Sequence, residues 1–148
     1  MKTSEIWISD GIVSFPVIEV ALSNPSKEHK ERCKALLDTG AGISSISKSL
    51  IKELGIIETG FKAPCISSSG NTDLVDTYDV KLFFRDDFHI NITKARELLI
   101  ETEDFRMVIG MDIISLGNFF ITNNGGKTVI SFELVDILKN TTRDYSAR

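Results

Sequence analysis

The chain has 148 residues, 42% of them hydrophobic and 26% charged, and a formal net charge of −4 from 17 basic and 21 acidic side chains. That length favours one domain with a core of its own, and the acidic balance argues against a nucleic-acid partner. No apolar run reaches the roughly 18 residues a membrane helix needs, and the opening MKTSEIWISDGIV lacks a signal-peptide core, so the chain is expected in the cytoplasm with no membrane attachment.

In chain order, residues 5–9 (EIWIS) read as a strand running into a tight turn at Asp10-Gly11. Residues 15–23 (FPVIEVALS) read as a second strand, ended by the turn cluster Asn24-Pro25-Ser26-Lys27. The charged stretch 28–34 reads as a loop, and Ala35-Leu36-Leu37 as an apolar strand that stops at Asp38-Thr39-Gly40. Residues 47–54 (SKSLIKEL) have helical spacing: Ile46, Leu50, Ile51 and Leu54 share a face, Ser47 can cap the start, and Gly55 suits a left-handed C-terminal residue. Residues 56–84 are extended, divided by Ser67-Ser68-Ser69-Gly70-Asn71 into the arms of a long hairpin. Residues 89–93 and 97–100 read as shorter strands, 105–109 as a strand ending at Gly110, and 112–116 as a helical turn or two with Asp112 as N-cap. Residues 119–122 and 128–133 form a hairpin across Asn123-Asn124-Gly125-Gly126. The expectation is a single domain over 1–138 and a frayed polar tail over 139–148.

Cys33 and Cys65 lie far apart and are read as free thiols, with a disulfide between them as the alternative. His29 and His89 are isolated surface residues, and no Cys/His spacing fits a metal site. No metal or other cofactor is expected.

One echo runs through the chain. Leu36-Leu37-Asp38-Thr39-Gly40 and Val108-Ile109-Gly110-Met111-Asp112 each end an apolar strand in a glycine-bearing turn, and each precedes a short helix. Duplication of one unit and chance similarity both account for it.

The chemistry centres on Asp38. Peptide hydrolysis by carboxylates needs an acid and a base acting together on one water. Two carboxyl groups held about 3 Å apart cannot both ionise, so they share a proton. An aspartate that ends a buried strand in a tight turn suits that task. Leu36 and Leu37 supply the strand, Gly40 permits close backbone approach, and Thr39 offers a hydroxyl to a facing loop. Asp-Thr-Gly is also ordinary turn chemistry, so the tripeptide alone decides little.

The wider arrangement does more. Leu37-Asp38-Thr39-Gly40-Ala41, then Gly42-Ile43-Ser44 and a short helix, then a long hairpin, then Val108-Ile109-Gly110-Met111-Asp112, resembles the retropepsin family of aspartic proteases. The small bacterial and retroelement members are the nearest in pattern, and the resemblance spans residues 16–133. It implies an all-β, closed barrel-like acid-protease fold with one or two short helices. It implies Asp38 as the catalytic carboxylate, with Thr39, Gly40 and Ala41 completing the active-site loop. Residues Ser67, Ser68, Ser69, Gly70 and Asn71 would form a substrate-binding flap, a plain loop being the alternative. Gly110 and Asp112 would be structural. Asp112 follows Met111 and opens a helix, which makes it a poor second catalytic aspartate.

The chain holds no second Asp-Thr-Gly or Asp-Ser-Gly. The dyad therefore has to be completed by a twin subunit across a two-fold axis, making the expected partners a second copy of the chain and a peptide or protein substrate. The sequence departs from the family at three places. Gly42 stands where an acidic residue is usual, Met111 where arginine is frequent, and Gly70 is the sole glycine between Ala63 and Val75. Ile43, Ile109 and Ile114 could line apolar substrate pockets or equally belong to the core. Three functions fit: an active homodimeric endopeptidase, a catalytically silent peptide-binding or dimerisation module of the same fold, and an unrelated ligand-binding β-barrel.

Overall fold

Along Val17–Ser23 the residues Ile18, Val20 and Leu22 are buried while Glu19 is exposed, the period-two signature of a strand with one face on a core. The same period governs the next segment, where Cys33, Ala35 and Leu37 point inward and Lys30, Arg32 and Lys34 point outward. The structure is a computed structural model that describes residues 2–10, 16–67, 69–86, 88–100, 102–135 and 142–144. The described elements are β1 (Lys2–Asp10), β2 (Val17–Ser23), β3 (Lys30–Leu37), β4 (Ser45–Ser47), α1 (Lys48–Leu54), β5 (Lys62–Ile66), β6 (Thr72–Arg85), β7 (Phe88–Leu98), β8 (Met107–Ile109), α2 (Met111–Ile114), β9 (Gly117–Asn124), β10 (Lys127–Val135) and β11 (Thr142–Asp144).

The eleven described strands pair, antiparallel or parallel, into two sheets. The larger runs β11-β7-β4-β8-β3-β2-β6-β5, and an added β6–β7 pairing closes β7, β4, β8, β3, β2 and β6 into a six-stranded barrel. Closure leaves those strands no free edge. Ile18, Leu22, Ile46, Leu82, Ile90, Ile92, Met107 and Ile109 fill the interior. Helix α1 buries Leu50, Ile51 and Leu54 against it. Its start is capped by Ser47, whose Oγ accepts from the Leu50 N–H at 3.3 Å, and Gly55 ends it at φ 62°, as its sequence requires. The second sheet, β1-β10-β9, adds Ile130 and Phe132 to the same core, with the Phe132 ring edge-on to Phe84 at 5.5 Å. The all-β barrel with two short helices is thus the predicted architecture.

Several elements differ from their sequence reading. Residues 30–34 are strand, not loop: Lys30, Arg32 and Lys34 form the outer row of β3 while Cys33 faces in. Residues 88–98 form one strand where two were expected, because β6 pairs with β7 from Phe88 to Arg96 and β4 carries the pairing on to Leu98. A bulge between Tyr78 and Val80 absorbs the mismatch, with Lys94 at φ 59° and its N–H bonded to Asp79 Oδ1 at 3.0 Å. The strand expected from 105 begins only at Met107. Asp112 is not the N-cap of α2: Gly110 holds that position, and the Asp112 carboxylate turns to Ser44 instead. Within the segment read as a tail, Thr142–Asp144 lies parallel to β7. The expected turn at Asp10-Gly11 falls partly on Gly11, outside the described residues.

Among the described residues no helix is long and apolar enough to cross a membrane. Both cysteines are free thiols, and burial pushes the Cys33 thiol up to about 12, which keeps it protonated and unreactive.

Candidate active site

The two halves of the sequence echo meet in space. Strands β3 and β8 run parallel, with Leu36 beside Val108 and Leu37 beside Ile109. The next residue on each is Asp38 and Gly110. The Asp38 N–H donates to the Ile109 carbonyl at 3.0 Å, so the aspartate leaves the barrel from a strand end clamped on its neighbour. The chain then turns sharply. The Gly40 N–H donates to Asp38 Oδ1 at 2.8 Å and the Ala41 N–H to the Asp38 carbonyl at 3.2 Å. An aspartate bonding the N–H two residues on fixes its own side chain in the turn.

Beyond the turn the loop rests on Gly110. The Met111 N–H donates to the Ala41 carbonyl at 2.7 Å and the Asp112 N–H to the Gly42 carbonyl at 3.1 Å. A Cβ on Gly110 would stand 2.7 Å from the Ala41 oxygen and 3.0 Å from the Ile43 carbonyl carbon. Glycine is needed there for close approach, since its φ of −96° is open to any residue.

Ser44, which the sequence pattern includes without a role, ties the halves together. It is fully buried. Its hydroxyl donates to Asp112 Oδ1 at 2.7 Å and accepts from the Gly110 N–H at 3.0 Å, while its own N–H donates to Asp112 Oδ2 at 3.0 Å. The Ile113 N–H also donates to Asp112 Oδ1, at 3.0 Å. Asp112 is 1% exposed. Burial raises its pKa above the ordinary carboxylate value, opposed by the hydrogen bonds from Ser44 and Ile113.

A carboxyl whose folded pKa is raised binds its proton more tightly in the folded state. Its contribution to stability is largest below the ordinary aspartate value and declines as pH rises toward the raised one. The stability advantage of the wild type over Asp112→Ala, followed by thermal melts, should therefore shrink as pH climbs from the acid side. An advantage that grows with pH would contradict this.

Of the residues singled out in the sequence, Asp38, Thr39, Gly40 and Ala41 come together with Gly110 and Asp112 in one cluster. Asp38 is half-buried, and Thr39 and Gly40 are exposed on the same loop. Ser67, Ser69, Gly70 and Asn71 turn the β5–β6 hairpin, with the Ser67 N–H on the Asn71 carbonyl at 2.8 Å and Gly70 at φ 83°. They join none of the hydrogen bonds of the Asp38 loop, and Ser68 lies outside the described residues. Ile109 and Ile114 are core residues, whereas Ile43 is half-buried and lines a groove of about 400 Å³ with Gly42, Arg96, Met111, Asp112 and Ser115. No grouping of His, Cys, Asp and Glu among the described residues could hold a metal ion.

No model of a known protein family matches the chain, and no curated protein matches its sequence. Its fold does match a solved structure, the crystal structure of a retropepsin-like aspartic protease from Rickettsia conorii. The TM-score is 0.52 at 12% sequence identity, over 91% of this chain and 97% of that one. At that identity the likeness establishes the fold, which is retropepsin-like.

Proposed function

We propose that the chain is an aspartic endopeptidase whose active site forms when two copies meet on a two-fold axis, each giving one Asp38. The observation that carries this reading is the placing of Asp38: at the end of a buried parallel strand pair, side chain fixed by the Gly40 N–H at 2.8 Å, and the loop left accessible. The retropepsin-like fold supports it. A strand-end aspartate with a single Asp-Thr-Gly in the chain is half of an acid–base pair.

In the dimer the two Asp38 carboxyls share one proton and hold a water between them. The ionised one takes a proton from the water as it attacks the scissile carbonyl. The protonated one gives its proton to the carbonyl oxygen, and a proton then passes to the leaving nitrogen. No acyl-enzyme forms. The Thr39 hydroxyl links the facing loops, and the β5–β6 hairpin, ending in Ser67 to Asn71, closes over an extended peptide by strand addition.

A silent binding module of this fold is the other reading, and the intact Asp38-Thr39-Gly40 speaks against it. A module that only binds has no use for two carboxyls that repel each other. Peptide hydrolysis measured against protein concentration tests the proposal. The rate per protomer should rise as dimer forms and then level off. A constant rate per protomer down to concentrations where sedimentation shows only monomer would refute a shared site.

A further inference from the structure

The groove beside the Asp38 loop has an unusual lining. Gly42 adds no side chain, Ile43 and Met111 are apolar, and the one acid, Asp112, directs both oxygens to Ser44 and Ile113. Its one cation is Arg96. That residue sits on β7 opposite Ser45 of β4 and Thr77 of β6, and its N–H donates to the Ser44 carbonyl at 3.0 Å. The residue that anchors Asp112 thus also anchors the backbone from which Arg96 projects. Arg96 Nε is buried and bonds no acceptor, and no carboxylate of the described residues forms an ion pair with the guanidinium.

A buried donor on a charged group without an acceptor is destabilising, and such a group gains most from an incoming anion. A guanidinium presents parallel N–H bonds that match a carboxylate. We propose that this groove is a substrate subsite for a carboxylate, with Arg96 as the specificity-determining residue. The inference rests on the endopeptidase reading. The carboxylate comes from an Asp or Glu side chain near the scissile bond or from the C-terminus of a short peptide. Gly42, in the same lining, brings no carboxylate of its own to the groove.

The test uses peptides that differ only by Glu against Gln at each position around the cleaved bond, and by a free against an amidated C-terminus. The wild type should favour one acid over its amide by about tenfold or more in kcat/KM. Arg96→Gln should bring that ratio to within about twofold, and Arg96→Lys should restore part of it. Glu-against-Gln discrimination assigns the side chain as the source, and acid-against-amide discrimination assigns the terminus. Ratios equal in wild type and Arg96→Gln overturn the proposal, as does a loss of dimer or of melting temperature that affects every peptide alike. Should no peptide be cleaved, the endopeptidase reading fails by itself. Binding of the same pairs to Asp38→Asn protein, with and without Arg96→Gln, then reads the subsite directly: an acid preference lost with Arg96 supports it, and equal affinities overturn it.

Discussion

Asp38→Asn protein should fold, dimerise and hydrolyse no peptide at a measurable rate, a fall of about 10⁴-fold in kcat. Asparagine keeps the shape of the side chain, and its Oδ1 can still accept from the Gly40 N–H that bonds Asp38 at 2.8 Å. The turn and the strand end therefore stay in place. What disappears is ionisation: an amide can neither take a proton from water nor share one with its twin. The melting temperature should stay within about 3 °C of the wild type. Activity that survives within about tenfold would remove Asp38 from the chemistry.

Gly110→Ala should damage both stability and rate, for a reason unrelated to backbone freedom. The φ of −96° at Gly110 suits alanine. The added methyl would stand 2.7 Å from the Ala41 oxygen, and that oxygen accepts the Met111 N–H at 2.7 Å. Backbone faces backbone here, so neither side can rotate away. The loop bearing Asp38 has to lift, at about 3 kcal/mol of stability and, since small misplacements of a catalytic group are costly, about 10²-fold in kcat/KM. Gly42→Ala is the control: a Cβ there meets nothing within 4 Å, and its effect on stability should be near zero. Equal melting temperatures for the two variants would show that the contact between the halves is not tight.

The strand and turn around Asp38 were legible in the sequence, where one segment carries all the information. Leu36-Leu37 followed by Asp38-Thr39-Gly40 states a buried strand and a sharp turn within five residues, and the structure has both. Helix α1 was equally plain, since Ser47, its apolar stripe and Gly55 all act locally. The charged half of β3 was hidden because Lys30, Arg32 and Lys34 are loop-like in composition and become strand only through pairing with β2. Asp112 looked like a cap because its true partner, Ser44, lies 68 positions away in sequence. The roles of Ser44 and Arg96 had no local signal. Their meaning comes from β4 lying between β7 and β8, an arrangement no short window can state.

The central claim is that one catalytic centre takes an aspartate from each of two chains, and subunit mixing tests it most directly. Wild-type and Asp38→Asn protein are exchanged to equilibrium in varying proportions, with total protein held constant. A shared site predicts activity following the square of the wild-type fraction, so that an equal mixture retains roughly a quarter of the undiluted rate. A straight-line decline, with roughly half the rate left in the equal mixture, would mean each chain carries a complete site of its own.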